Sequence, residues 1–267
     1  MATQAAKDSS ALNRATYENA RIVGQYASFE ALYPAESLII SRFAAQFRRA
    51  ILDIGIGAGR TTRVLLPQCQ RYVGIDYSEP MIDRARAQFP AADLRVLDMR
   101  NVVRVFAEQR FDAILISFNA IDCISWDDRC ALLAALPSLL TADGVLVFST
   151  HDLADAPQQS RFHLRDDLQQ TLRHAYRPRS LAKLIRRGPG WLIKAWRNRR
   201  RNRPLQCYFD GYAYINDAAE DYGLLLTYVG MTKQTDLLRS WGFSRLEVLQ
   251  PWLRDEQTSF SYLTCQR

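Results

Sequence analysis

The chain has 267 residues, 48% of them apolar, and a net charge of +7 from 35 Lys and Arg against 28 Asp and Glu. That length holds one full α/β core with an insertion, and no run approaches the ~18 apolar residues of a membrane-spanning helix. The N-terminus lacks a basic start followed by an apolar core, so the sequence reads as that of a cytoplasmic protein, peripheral at a membrane at most.

Residues 1–13 are small and polar and read as a mobile lead. From Tyr17 to Phe47 the pattern is helical, with Tyr26, Phe29, Leu38, Ile39 and Phe43 among its apolar positions and Pro34 dividing it, so 1–48 form a helical cap. A short apolar strand follows and runs into a glycine turn, Ile51-Leu-Asp-Ile-Gly-Ile-Gly-Ala-Gly-Arg60. Glycines at 55, 57 and 59 permit positive φ and bring bare backbone against a ligand, while the helix starting near Arg60 aims its amides at it. The spacing is D-x-G-x-G-x-G, which differs from the G-x-G-x-x-G of dinucleotide binders.

Further strands are predicted at 72–75, 94–97, 111–117 and 144–149, alternating with helices at 61–66, 80–89 and 127–139. Short apolar runs of this kind suit a parallel sheet buried on both faces. The core thus covers 49–150, with its strand ends on one edge. Residues 151–230 break the regularity as an insertion, and 231–267 return to the core with a helix at 232–241 and strands at 244–249 and 259–265. The five cysteines (69, 123, 130, 207, 265) have no C-x-x-C pair, and His151, His163 and His174 lack zinc-like spacing, so no structural metal is expected.

Four segments, in order and spacing, resemble the cofactor motifs of the class I S-adenosylmethionine (SAM) dependent methyltransferases: the glycine loop, Gly74-Ile-Asp76-Tyr-Ser, Leu97-Asp98-Met99, and the strand closing in Ser117-Phe118-Asn119. The resemblance implies a Rossmann-like, doubly wound, mostly parallel seven-stranded sheet ending in an antiparallel hairpin, with N-terminal helices and a basic insertion after the fifth strand. It implies SAM as cofactor, with Asp53 reaching its methionine part and Gly55, Gly57 and Gly59 lying against it. Asp76 would accept from the ribose hydroxyls, with Tyr77 and Met81 beside it, although an acid here can also cap a helix. Asp98 would take the adenine amino group and the Met99 amide a ring nitrogen, or Asp98 is a turn residue. Ser117, Phe118 and Asn119 would flank the sulfonium. Asp122 would face the acceptor pocket, or cap the helix near 127. Tyr17 or Tyr26 would bond the SAM carboxylate, or belong to the core.

An acceptor oxygen needs a base, and His151, directly after a strand on the active edge, titrates near neutrality; the alternative is a polar residue opening a loop. The Asn-Pro-Pro-Tyr signature of base-amine methylation is missing, so a small-molecule or saccharide-like acceptor, methylated at O or N, is the leading expectation. A nucleic-acid methyltransferase and a non-catalytic SAM-binding partner stand as alternatives.

The charge is concentrated, because 161–203 carries +12. Within it, 179–203 reads as two amphipathic helices parted by Gly188-Pro-Gly190, one with Leu181, Leu184 and Ile185, the other with Trp191, Leu192, Ile193 and Trp196. Such a segment serves as a lid with its apolar side turned inward, as a contact to anionic lipid, or as a contact to nucleic acid.

Overall fold

The computed structural model describes residues 2–160, 190–249 and 260–266. Its main sheet has seven strands in the order β3-β2-β1-β4-β5-β10-β9. These are β1 (Ala50–Ile54), β2 (Arg71–Asp76), β3 (Asp93–Val96), β4 (Phe111–Ile116), β5 (Leu140–His151), and, beyond the insertion, β9 (Arg245–Leu249) and β10 (Phe260–Gln266). The first five pair in parallel, and β10 runs antiparallel to both β5 and β9. Alternation along the strands feeds two cores. Leu52, Ile54, Val73, Ile75, Ile114 and Phe148 enter one, while Ile51, Tyr72, Leu115, Val145 and Val147 enter the other.

The order places β1 and β4 side by side where the winding reverses, which opens a crevice above their C-terminal ends. Helices Thr62–Leu65 and Glu79–Gln88 follow β1 and β2, and Trp126–Ala135 precedes β5. The predicted elements recur with boundary shifts of a few residues. The largest is β5, which extends four residues further back than the apolar run because it pairs with β4 as far as Leu140.

Two regions depart from the sequence reading. The expected mobile lead is helical: Ala2–Tyr17 forms one helix. Asn13 anchors it, donating to the carbonyls of Cys123 and Leu225 at 3.1 and 2.9 Å and accepting from the Leu225 amide at 2.9 Å. The insertion, in turn, holds a second, antiparallel sheet of β6 (Cys207–Phe209), β7 (Tyr212–Ile215) and β8 (Leu226–Val229). It packs Ala213, Ile215, Leu226 and Tyr228 against Cys123 and Ala156, and Tyr214 Oη accepts from the Trp126 amide at 2.9 Å. The first predicted basic helix, His163 and His174 lie outside the described residues. The second basic helix spans Gly190–Asn202. Among the described residues, no helix is long and apolar enough to cross a membrane, and no group of His, Cys, Asp and Glu could hold a metal ion.

Candidate active site

A cleft opens over the ends of β1, β2 and β4. Its floor is the glycine turn, where Gly55, Gly57 and Gly59 have φ of 77°, 54° and 95°, a region that side chains with a Cβ rarely adopt. The three glycines do different work. A Cβ on Gly55 would stand 2.5 Å from Ala120 Cβ and one on Gly59 would stand 2.8 Å from the Phe89 ring, so these two serve packing. At Gly57 the nearest neighbour is the Tyr26 ring at 3.7 Å across the cleft, so this backbone is bared to whatever binds.

Asp76 ends β2 on the cleft wall. Its Oδ2 accepts from the Gly57 amide at 2.9 Å and its Oδ1 from the Ser78 amide at 2.8 Å, which orients the carboxylate and leaves lone pairs for a ligand. Burial raises its pKa to about 6, opposed by those backbone donors. Tyr77 and Met81 line the wall beyond it, with Leu97 and Met99. The Tyr77 hydroxyl is buried without a partner. This end is apolar and slot-like, with a carboxylate at its mouth.

Asp98 does not line this cleft. It sits on an adjoining recess with Ser10, Arg14 and Tyr77, and Arg100 grips both of its oxygens at 3.0 and 2.7 Å. Burial would raise its pKa, but Arg100 outweighs burial and holds it below the usual range. Asp53 is also away from the surface. Its Oδ2 accepts from Thr61 Oγ1 at 2.6 Å and Tyr72 Oη at 2.7 Å, while Oδ1 lacks a partner. Burial lifts its pKa to about 6.

The opposite end of the cleft is an aromatic enclosure. Phe118 stacks on Tyr33 at 5.5 Å and meets Tyr26 edge-on at 5.8 Å, and Tyr17 meets Tyr26 edge-on at 5.6 Å. Phe118 and Asn119 both adopt positive φ, 53° and 59°, a sharp turn that swings the chain away from the end of β4. Burial holds the hydroxyls of Tyr17 and Tyr26 protonated, with pKa values above the usual phenol range.

Beside this enclosure lies Arg60, which sequence reasoning treated only as a helix start. Glu36 holds it in a fork at 2.5 and 2.7 Å, Arg60 also donates to Ser117 Oγ and the Ala31 carbonyl, both at 3.4 Å, and its guanidinium lies 5.4 Å from both the Tyr33 and Phe118 rings. Tyr262 Oη, from β10, donates to Glu36 at 2.7 Å. The only local signal was a cation directly after the last loop glycine.

The two expected catalytic residues lie behind the cleft. Asp122 has no exposed surface, so it cannot face an acceptor as the sequence suggested. Its Oδ1 accepts from Arg129 Nη1 and Thr150 Oγ1, both at 2.6 Å, and its Oδ2 from the His151 amide at 2.9 Å and His151 Nδ1 at 2.8 Å. Arg129 is itself buried and donates to Gln234 and Thr150 as well. Its pKa is lowered by burial against the pull of Asp122.

His151 stacks on Tyr228 at 4.6 Å, and its Nε2 lies 3.2 Å from Asn119 Nδ2. Asp122 sets the Nδ1–H tautomer, which leaves Nε2 to accept from the amide. Burial lowers the His151 pKa, but Asp122 reverses that and the net shift is upward. Asn119 therefore stands between the cleft edge and the ring, its backbone amide donating to Ser149 Oγ at 2.7 Å.

Residues 51–144 match the model of a methyltransferase domain family. This stretch, which holds the glycine loop and Asp76, is similar to a methyltransferase domain of the SAM-dependent type. No curated protein matches this methyltransferase by sequence. Among solved structures, it shares its fold with 1,6-didemethyltoxoflavin-N1-methyltransferase from Burkholderia thailandensis, at 17% identity, a TM-score of 0.59 and coverage of 98% of this chain and 90% of that one. Magnesium protoporphyrin IX methyltransferase from Synechocystis matches at 11% identity and 0.55 over 97% of both chains. A SAM-dependent methyltransferase from Clostridium acetobutylicum matches at 14% and 0.55, covering 86% of this chain and 89% of that one.

Proposed function

We propose that this methyltransferase transfers the methyl group of SAM to an O or N atom of a small-molecule or saccharide-like acceptor. One observation carries the reading: a single cleft has an oriented carboxylate, Asp76, in one part and an arginine with an aromatic wall in another. A nucleoside joined to a zwitterionic chain needs that polarity.

The residues present fit SAM. The ribose would hydrogen-bond to Asp76, and the adenine would lie among Tyr77, Leu97 and Met99. Gly57 would present bare backbone, and the unpartnered Asp53 Oδ1 offers an acceptor beneath the loop for an ammonium, reached directly or through water. Arg60, with Tyr17 and Tyr26 on the same wall, suits the carboxylate. Solved relatives support this assignment, since the Burkholderia enzyme was crystallised with S-adenosylhomocysteine and the Synechocystis enzyme with SAM.

When bound, SAM supplies a methyl already activated on a sulfonium. What remains for the protein is alignment and exclusion of water, gains that proximity provides without a covalent intermediate. Phe118, Tyr26 and Phe29 form the dry wall for that step. Tyr17 and Tyr26, held protonated, act as donors and not as bases. We place His151 as a positioning residue: with its Nδ1–H fixed by Asp122, it holds the Asn119 amide, and with it the turn carrying Phe118.

Calorimetric titration of SAM, with turnover of labelled SAM on fractionated metabolites, lipids and RNA, tests this reading. Gly57→Val would add a branched side chain where φ is 54° and fill the cleft toward Tyr26. SAM affinity should fall below detection while the fold survives. Unchanged affinity would sink the assignment, and transfer only to RNA would favour the nucleic-acid alternative.

A further inference from the structure

The helix Gly190–Asn202 is fastened to the protein in part by polar side chains, where an ordinary amphipathic helix uses apolar ones. Its inward positions, three, four and seven apart, are Ala195, Asn198 and Asn202. Ala195 and Asn202 are buried, and the two amides donate at 2.9 Å to the carbonyls of Asp221 and Tyr222. Backbone at 221 and 222 takes positive φ, so these carbonyls point toward the helix side chains instead of into a regular turn. Polar side chains thus help attach the helix to the protein, while Ile193 and Trp196 are left outside. Lys194 adds an ion pair with Asp221 at 3.3 Å, and Arg21 of the cleft-side helix Ala20–Tyr26 reaches the same carboxylate at 3.0 Å.

The outward face then reads Ile193, Trp196, Arg197, Arg200 and Arg201, spaced at three and four and all exposed. Ile193 is 61% exposed and Trp196 54%. Arg200 sets its guanidinium 5.3 Å from the Trp196 ring, and the helix contains no acid. None of the cleft-lining residues comes from this helix, and Ile193 and Trp196 point to solvent; the other apolar positions named for a lid, Leu181, Leu184, Ile185 and the side chains of Trp191 and Leu192, lie outside the described residues.

The geometry points to this face as a docking surface for an anionic lipid bilayer. Arginines alone would satisfy the phosphates of a nucleic acid, and Ile193 would gain nothing there. At a bilayer both halves of the face are used, with Ile193 and Trp196 entering the headgroup boundary and the arginines taking lipid phosphates. The surface is separate from the cofactor cleft, so its test does not depend on the SAM assignment.

The full chain is sedimented with vesicles of phosphatidylcholine alone and of equal parts phosphatidylcholine and phosphatidylglycerol, and an RNA hairpin is titrated in parallel. Binding to the anionic vesicles only, weakening with salt, is expected. Arg200→Gln with Arg201→Gln should lower the partition coefficient roughly 25-fold. Ile193→Ala with Trp196→Ala should also lower it while leaving the salt dependence in place. All four sites are exposed, so melting temperature and SAM affinity should stay at wild-type values in both variants. Equal binding to neutral vesicles, or wild-type partitioning by either double variant, would overturn the proposal. So would RNA binding that needs the arginines but ignores Ile193 and Trp196, with vesicles left unbound.

Discussion

Two carboxylates stand on the same edge of the sheet and are used in opposite ways. Asp76 holds two backbone amides and keeps acceptor capacity toward an open cleft. Asp122, at the end of the neighbouring loop, has both oxygens consumed by Arg129, Thr150 and His151. Position along a strand end does not distinguish a ligand-binding acid from a framework one; what decides is how many of its lone pairs the protein itself fills.

The largest expected effect breaks the framework acid. Asp122→Ala leaves the buried Arg129 without its counter-charge, and uncompensated buried cations cost roughly 3–5 kcal/mol. Denaturant unfolding should show a loss of that size; a loss under about 1 kcal/mol, the scale of an exposed ion pair, would mean Asp122 is not a structural hub. Asp76→Ala should do the reverse, leaving the melting temperature close to wild type while SAM affinity drops on the order of 100-fold. That figure is the lower end of what two hydrogen bonds to a charged acceptor give, at about 1.5 kcal/mol or more each. If melting collapses and affinity in the folded fraction holds, the roles of the two acids are exchanged.

A smaller effect comes from pH. The Asp76 pKa near 6 means that SAM affinity should weaken below pH 6, by up to about tenfold per unit, because the ribose hydroxyls need the ionised acceptor. Stability of the SAM-free protein should move the other way. Asp53 and Asp76 have folded pKa values near 6 against an ordinary 3.8, so the folded state takes up protons first, and their contribution to stability grows as pH falls from 6 toward 4. Calorimetry and thermal melts across that window should give opposite slopes; parallel slopes would remove Asp76 from the ribose site.

The core was legible because it depends on short-range rules. Apolar runs with turn residues mark the strands, and the glycine loop and Asp76 lie within a few residues of the strand ends that place them. Most of the rest depends on distant partners. Asp98 is the exception, since Arg100, two residues on, occupies its oxygens, whereas Asp122 is filled by Thr150 and His151 and its Arg129 is held by Gln234, 105 residues away. The second sheet was missed because its strands are only three or four residues long and are interrupted by the turn at 220–222. The Gly190–Asn202 helix was legible as a helix but its polar attachment was not, since Asn198 and Asn202 answer to carbonyls that a turn of positive φ presents.

The contact from Tyr262 to Glu36 spans 226 residues, and it sets a timetable. A ribosome delivers the glycine loop early, and β1 to β5 can begin to pair while the remainder is still being made. Glu36, which holds Arg60 at the cleft, gets the Tyr262 hydroxyl only after β10 has taken its place between β5 and β9. The Asn13 anchor likewise waits for Leu225. A nascent chain therefore carries a formed turn and an unfinished receptacle, and its ability to take up the methyl donor arrives among the last events of folding.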